Sequence, residues 1–365
     1  MAGIYISWPF CAQKCTYCNF ASGVMPKKLE AQYLDALTAE IAAYQWQWPP
    51  ETLYIGGGTP SGMETEALSR IAEALPAVAW REATIETAPG TVTTERISAW
   101  RRAGFDRVSL GVQSFVKAEL ARTGRRHTAE TVEQDVALLR AGGITNINID
   151  LIAGLPGQTE AGWRESLAAV ERISPPHVSV YMLEVDEDSR LGAEMLLGGT
   201  RYGALSVPPD DQIAAFYELA VGELQRCGIS RYEISNFARP GFESLHNLKY
   251  WRREPYIGFG ADAHSFDAGL RWQNTEAAAD YVARRQRGEP FHTETTTAVA
   301  TEEKFFVGLR LTEGVFADDS DWARYGSAFE RFLSGGVMER YAGRLRLTAR
   351  GIMISNEIFE EFVSI

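Results

Sequence analysis

The chain has 365 residues, of which 45% are hydrophobic and 23% charged, enough for one large core and a smaller one. Its formal net charge of −12 argues against non-specific nucleic-acid binding, which needs a basic surface. No window approaches the roughly 20 uninterrupted apolar residues of a transmembrane segment. The opening residues, MAGIYISWPF, lack the basic start of a secretory signal peptide. We therefore expect a cytoplasmic protein.

The first half of the chain alternates short β-branched runs with helical patterns. The runs predict six strands, at Ile4–Trp8, Thr52–Ile55, Ala83–Thr87, Arg107–Val112, Asn146–Ile152 and His177–Leu183. The patterns between them predict helices over residues 29–44, Glu64–Leu75, Thr94–Ala103, Ala129–Ala141 and Glu160–Ile173. Six such repeats predict an α/β fold with a parallel sheet, either an open doubly wound sheet or a full or partial (β/α) barrel.

The regular alternation stops after the sixth strand. A loop rich in Gly and Pro leads to a predicted helix over Asp210–Arg226, and an irregular, aromatic-rich stretch follows. The last part predicts a small winged-helix-like α+β module, with elements at Glu302–Leu309, Ser320–Leu333, Val337–Glu339, Arg344–Leu347 and Asn356–Phe362. We therefore expect a core over 1–230, an irregular extension over 231–295 and a C-terminal module over 296–365.

Three of the four cysteines lie close together, as Cys11-Ala-Gln-Lys-Cys15-Thr-Tyr-Cys18, directly after the first predicted strand. Three thiolates can bind one [4Fe–4S] cluster and leave its fourth iron open to a ligand from outside the protein. A Cys3His zinc site is one alternative, although the first histidine of the chain is His127. A disulfide is a weaker alternative in a reducing cytoplasm. The spacing favours the cluster.

Polar residues and glycines follow the ends of the next strands. Gly56-Gly57-Gly58-Thr59-Pro60 ends strand two and could bring the backbone close to a small ligand, or form a plain tight turn. Glu86 and Gln113 end strands three and four, and Asp150 lies in strand five. Polar side chains in apolar strands need partners. Three at corresponding positions predict a ring at a barrel mouth.

These motifs together resemble those of a known family. The CxxxCxxC motif, with Tyr17 before its last cysteine, resembles the radical S-adenosylmethionine (SAM) superfamily, in which the methionine part of SAM binds the open iron. Other segments resemble the oxygen-independent coproporphyrinogen III oxidase family and, most closely, its haem chaperone branch, HemW. They include GGGTP, LGVQSF, GRRH, INIDLIAGLPGQT, EISNFARPG, HNLKYW and YIGFGADAHSF. The resemblance implies a partial (β/α)6 radical-SAM barrel.

The resemblance also implies a role for individual residues. It implies that Cys11, Cys15 and Cys18 ligate the cluster. The residues that it places against SAM are Tyr5, Tyr17, Gly57, Gly58, Thr59, Glu86, Gln113, Arg125 and Asp150. Arg126 carries the same charge as Arg125, so the choice between these two rests on the resemblance alone.

Two functions of different class are compatible with these motifs. The first is a radical enzyme that oxidatively decarboxylates coproporphyrinogen III, with an electron from a donor such as flavodoxin or ferredoxin. The second is a protein that binds haem and delivers it to acceptor haemoproteins. A third possibility, an unrelated haem-degrading methyltransferase, shares the cluster motif but needs a longer chain and a different C-terminal half.

Two features favour the haem carrier. Phe20 stands where the decarboxylase has a further cysteine. The segment from His246 to Trp251 matches the HNxxYW motif, which the resemblance ties to haem binding. His246 would be an axial iron ligand, with Tyr250 and Trp251 as flat apolar surface for the macrocycle. The alternative is that His246 is a hydrogen-bonded core residue. We expect a haem carrier, with no residue assigned to catalysis and no coproporphyrinogen dehydrogenase activity.

Overall fold

Seven parallel strands form the centre of the fold in a computed structural model, which describes residues 2–363. Six of them follow one another along the chain: β1 (Ala2–Trp8), β2 (Pro50–Gly57), β3 (Glu82–Thr87), β4 (Arg107–Gln113), β5 (Asn146–Ala153) and β6 (His177–Met182). Each contains or overlaps one predicted strand. Alternate residues such as Ile4, Ile6 and Trp8 are buried, because they pack against the surrounding helices.

Helices connect these parallel strands. They are α1 (Lys27–Ala43), α2 (Thr65–Ala74), α3 (Thr94–Arg102), α4 (Lys117–Arg122), α5 (Ala129–Ala141) and α6 (Glu160–Ile173). Thr93, Thr128 and Thr159 accept hydrogen bonds from backbone N–H groups of the first turns of α3, α5 and α6. The six-residue helix α4 was not predicted, because it is too short to show helical periodicity.

The chain beyond β6 is more regular than expected. It contains α7 (Arg190–Leu196), a 3-10 helix (Arg201–Ser206), α8 (Asp210–Arg226), β7 (Ser230–Arg231), β8 (Asn236–Ala238), α9 (Leu245–Trp251), β9 (Tyr256–Phe259), β10 (His264–Asp267), β11 (Leu270–Asn274), α10 (Ala278–Arg287) and β12 (His292–Thr297). The expectation of an irregular stretch over 231–295 was therefore wrong. Its strands have only two to six residues, and β8 and β9 join the sheet by pairing with the distant strands β6 and β1, which local patterns do not reveal.

Within the described residues, these twelve strands form one sheet in the order β12-β11-β10-β9-β1-β2-β3-β4-β5-β6-β8-β7, with β12 and β7 as its edges. The sheet curves around α9. The N-terminal end of α9 binds the Glu82 carboxylate at the start of β3. The Tyr232 hydroxyl connects Ser244, before α9, with His177 at the start of β6. This curved parallel sheet confirms the predicted α/β fold class.

The C-terminal part has the predicted order of helix, helix, hairpin and helix. Its elements are α11 (Ala300–Phe306), a 3-10 helix (Gly308–Arg310), α12 (Asp319–Ser334), β13 (Met338–Tyr341), β14 (Arg344–Leu347), α13 (Ala349–Met353) and α14 (Ser355–Glu360). Phe305 packs against Phe329 and Phe362, with ring centroids 5.0 and 5.2 Å away. The expected boundary at 295 falls inside β12, and the division into three parts stays a prediction. Residues 1, 364 and 365 of those ranges lie outside the described residues.

Candidate cofactor site

An open cavity of about 590 Å³ lies at the C-terminal ends of the parallel strands. This volume is within the range of small-molecule sites, and this end of a parallel barrel is where side chains from successive strands converge. Most of the residues predicted for the cluster and for SAM line it together. They are Cys11, Cys15, Tyr17, Cys18, Gly57, Gly58, Thr59, Glu86, Gln113, Arg125 and Asp150.

The cysteine segment is held against the barrel by backbone hydrogen bonds. The Cys11 N–H donates to the carbonyl of Gly23 over 3.0 Å, and the Thr16 N–H donates to the carbonyl of Thr123 over 3.2 Å. The Gln13 side chain donates to the carbonyl of Gly124, which follows α4. The segment is therefore fixed both to its own loop and to the connection that carries Arg125.

The three thiols form one donor set on the cavity wall. Burial raises the pKa of Cys11, and the neighbouring Cys18 and Cys15 thiols raise it further. In residues 2–363, no three His, Cys, Asp or Glu side chains are grouped so that they could hold a single metal ion. Three free, half-buried thiols around one cavity fit a larger cluster, because each thiolate there binds a different iron.

The glycine segment lies close to the cysteine segment. Gly57 has φ of +109°, a conformation that L side chains rarely adopt. A Cβ atom on Gly58 would lie only 2.6 Å from the carbonyl oxygen of Phe10. The Thr59 N–H donates to the same oxygen over 2.9 Å. Glycine at these positions therefore allows the end of β2 to approach the start of the cysteine segment.

Glu86 faces the cavity from the end of β3. One carboxylate oxygen accepts a hydrogen bond from the Tyr54 hydroxyl at 2.9 Å, and the other accepts from the Gly57 N–H at 3.0 Å. Burial raises the pKa of Glu86 to about 7, and the Asp150 carboxylate contributes to the rise. A cationic ligand in the cavity would favour the ionised form of this carboxyl.

Asp150 is oriented by neighbours on its own strand and on β4. Its two oxygens accept hydrogen bonds from the Ser109 hydroxyl at 3.1 Å and from the Asn148 amide at 2.7 Å. Burial raises the pKa of Asp150, whereas these hydrogen bonds stabilise its ionised form. The cavity therefore contains two half-buried carboxyl groups, on β3 and β5, that were predicted from their positions along the chain.

Arg125 lines the cavity. One of its terminal nitrogens donates to the carbonyl of Gly111 over 2.7 Å, whereas its buried Nε has no hydrogen-bond partner among the described residues. A guanidinium at the wall of a cavity fits a ligand carboxylate. Gln113 adopts a left-handed backbone with φ of +69°, a strained conformation of the kind found at ligand sites. Both observations fit the carboxylate-bearing methionine part of SAM.

Tyr5 is the predicted SAM residue that does not line the cavity. It lies in β1 directly beside Tyr54 of β2, and the two rings stack with centroids 6.1 Å apart and planes 25° apart. In this arrangement Tyr5 supports Tyr54, which lines the cavity itself.

The residues predicted for haem lie at the opposite end of the barrel. His246 is only 1% exposed. None of His246, Tyr250 and Trp251 lines the cavity. The His246 ring nitrogens are hydrogen-bonded to the hydroxyls of Thr52, at 2.9 Å, and Tyr250, at 2.7 Å. Burial lowers the pKa of His246 to about 3, with Lys249 and Arg107 contributing. In the folded chain His246 is therefore a hydrogen-bonded core residue, which was the alternative to a haem ligand.

Tyr54 is the main cavity residue that the sequence prediction missed. It lines the cavity and binds Glu86. Tyr181 of β6 and His127 also line the cavity without having been predicted. A signal for Tyr54 existed, because Thr52, Tyr54 and Gly56 alternate with apolar residues along β2 and so share one face of the strand.

Comparisons with known proteins identify the family of this chain. The family model of the Radical SAM superfamily matches residues 5–170, which include the cysteine segment and the strand-end residues through Asp150. Proteins named haem chaperone HemW from Lactococcus lactis and Bacillus subtilis are each 33% identical to this chain. The matches cover 98% and 100% of this chain and 96% and 99% of those proteins.

The chain belongs to the radical SAM superfamily and, within it, to the HemW family. A solved structure of coproporphyrinogen III oxidase from Escherichia coli, described as a radical SAM enzyme, covers 99% of this chain with a TM-score of 0.84 and 23% identity. The alignment covers 89% of that structure. The similarity confirms the fold. Superfamily membership implies a [4Fe–4S] cluster and SAM, and the donor set and cavity described above are compatible with both.

Proposed function

We propose that this protein is a haem carrier that holds a [4Fe–4S] cluster and SAM, binds haem and delivers it to acceptor haemoproteins. The observation that carries the proposal is the match with proteins named haem chaperone HemW, which extends over 98–100% of the chain. We keep the expected cytoplasmic location as a prediction. In the described part of the chain, no helix has the length and apolarity to cross a membrane.

The proposed cofactor site assigns a task to each group of residues. Cys11, Cys15 and Cys18 hold the cluster, which supplies an open iron and one-electron chemistry when it is bound. Glu86 and Asp150 provide negative charge towards the cationic part of SAM. The Arg125 guanidinium binds a carboxylate, and the Gly57–Thr59 backbone lets the ligand approach closely. An electron donor is a partner only if SAM is cleaved.

Phe20 supports a carrier rather than a coproporphyrinogen dehydrogenase. Phe20 lines the cavity and is 65% exposed. The resemblance places a cysteine at this position in the decarboxylase. A phenyl ring can neither donate a proton nor bind a metal, so it provides apolar contact surface only.

Haem binding through the HNxxYW motif requires a local change of structure. A haem iron can bind His246 only if one of its two ring hydrogen bonds breaks and the ring becomes accessible. We propose that α9, which has seven residues, opens for this purpose, and that Tyr250 and Trp251 then pack against the macrocycle.

The test compares haem binding with turnover of coproporphyrinogen III. Haem titration of the purified protein should give a saturable Soret band. His246→Ala should weaken or shift that band, whereas His264→Ala should not, because His264 is exposed on β10. The anaerobic, reduced protein with an intact cluster and SAM should form no decarboxylated product. Product formation would show that the protein is a coproporphyrinogen dehydrogenase instead. The absence of saturable haem binding would exclude the haem carrier.

A further inference from the structure

Three aromatic rings connect the cofactor cavity with the HNxxYW motif. Tyr54 stacks on Tyr5 on one side and on His246 on the other, with centroids 6.1 and 5.3 Å away. The planes of the Tyr54 and His246 rings differ by 30°. Stacked rings restrict each other's motion, because a ring cannot rotate without losing its face-to-face contact. The orientation of Tyr54 therefore depends on both neighbours.

His246 is fixed from several directions. Its ring nitrogens bind the Thr52 and Tyr250 hydroxyls, and its backbone N–H donates to the Glu82 carboxylate over 3.0 Å. The ring also lies against β1, since a Cβ atom on Gly3 would lie 3.0 Å from the His246 Cε1. The imidazole is therefore a rigid support for the ring that stacks on it.

At its other end, Tyr54 fixes a cofactor-site carboxylate. Its hydroxyl donates to one oxygen of Glu86, and the Gly57 N–H donates to the other. A displaced Tyr54 would leave Glu86 with one of these two donors. A buried carboxyl that loses a donor is less well oriented and less easily ionised.

We propose that His246 is a positioning residue for the SAM site: it holds the Tyr54 ring, and Tyr54 in turn orients Glu86. This inference rests on the proposed function, because it assumes that SAM binds in the cavity. The HNxxYW motif would then also position the SAM site, through Tyr54 and without lining the cavity itself. Coupling between sites is reciprocal, so displacement of His246 by haem would weaken SAM binding, and bound SAM would oppose that displacement.

Two variants of His246 separate positioning from haem ligation. His246→Phe keeps a flat ring against Tyr54 but has no nitrogen for iron, whereas His246→Ala removes both. The dissociation constant for SAM is measured by equilibrium dialysis on cluster-loaded protein, with iron content and circular dichroism as checks of cluster and fold. We expect His246→Ala to weaken SAM binding about 3- to 10-fold, the effect of one modest hydrogen bond. His246→Phe should recover most of that loss while still binding haem poorly.

Tyr54→Phe keeps the proposal testable if the His246 variants fold poorly. It removes only the hydroxyl and should weaken SAM binding by a similar factor. Combined with His246→Ala, it should add little, because both changes act through one contact with Glu86. The exposed His264→Ala is the matched control and should bind SAM as the wild type does.

The outcomes distinguish the inference from the proposed function. SAM affinity within twofold of wild type in folded His246→Ala and Tyr54→Phe would overturn the positioning role and leave the carrier intact. Equal weakening in His246→Ala and His246→Phe would also overturn it, because the ring would then not be the supporting element. Failure of the cluster-loaded wild type to bind SAM would instead contradict the proposed function itself.

Discussion

The two ends of strand β3 carry the same residue type in different surroundings. Glu82, at the start of the strand, accepts three hydrogen bonds from the beginning of α9, through the Ser244 hydroxyl and the backbone N–H groups of Leu245 and His246. Glu86, at its end, accepts two hydrogen bonds and faces an open cavity. The chain supplies the partners of the first carboxylate and leaves space for a ligand at the second.

Along β3, the carboxylate at the start of the strand therefore contributes to stability, and the one at its end is available for ligand binding. At the N-terminal end of the barrel, a helix of the chain itself occupies the space between the strands. At the C-terminal end, Arg125 and Gln113 line an open cavity, and Gln113 has a strained backbone. Carboxylates such as Glu82, bound by donors of the chain itself, hold the fold together, and polar side chains that line the open cavity are available to a ligand.

The largest expected effect is at the open end. Cys15→Ala should abolish the cluster, because two thiolates cannot replace three and no other protein ligand is assigned to the site. Iron analysis and the visible absorption of the reconstituted protein measure this loss. Cys227→Ala is the matched control, since Cys227 is a free cysteine after α8, away from the cavity. An unchanged iron content in Cys15→Ala would contradict the assignment of the cavity.

The next largest effect is expected at the closed end, on stability. Glu82→Ala should lower the free energy of unfolding by about 3–5 kcal/mol, since it leaves Arg107 buried without its carboxylate and removes three acceptor contacts of α9. Urea unfolding measures the change. Glu160→Ala, which removes an exposed ion pair with Arg164, should cost less than about 1 kcal/mol. Equal losses in the two variants would remove the distinction between the ends.

Arg125→Ala should instead change binding rather than stability. We expect SAM affinity to fall about 10- to 100-fold, as for loss of a charge-assisted contact to a carboxylate. Arg126→Ala is the control: Arg126 also lines the cavity but is exposed, and its loss should change affinity less than about threefold. Equilibrium dialysis measures both, and the reverse order would assign the carboxylate contact to Arg126.

The pH dependence of SAM binding should reflect Glu86. Its pKa in the cavity is about 7, so the carboxyl becomes protonated as pH falls below that value and loses its attraction for a cation. Affinity should fall about tenfold between pH 8 and pH 6. His127 and His246 do not titrate in this window, because burial lowers their pKa values to about 4 and 3. Glu86→Gln should give a flat profile, and a slope like the wild type's in that variant would exclude Glu86 as its source.

The open end was largely predictable from the sequence, and the closed end was not. The cysteines, the glycine segment and the strand-end polar residues lie in short motifs, and the parallel topology alone places them at one edge. His246 depends on contacts with Glu82 and Thr52, which are 164 and 194 positions away in the chain. From the sequence alone, the HNxxYW motif was therefore equally compatible with His246 as a haem ligand and as a core residue. Strands such as β8 and β9, with three and four residues, likewise pair with β6 and β1, which lie far away in the chain.

Tyr54 lies between these two cases. On β2 it pairs with Thr84, two residues before Glu86, so its hydroxyl reaches Glu86 diagonally across the sheet. The alternation of Thr52, Tyr54 and Gly56 already assigns it to the interior face. Its stacking on His246 could not be predicted, because α9 reaches that position through the fold of the second half of the chain.

Haem delivery is the central claim, and one transfer measurement tests it most directly. The protein is loaded with one equivalent of haem, separated from free haem and mixed with an excess of an apo-haemoprotein such as apomyoglobin. The carrier predicts that the Soret band of the loaded protein is replaced by that of the acceptor, at a rate faster than haem loss to buffer. Haem that never forms a stoichiometric complex with this protein, or a complex that does not transfer haem to the acceptor, would contradict it.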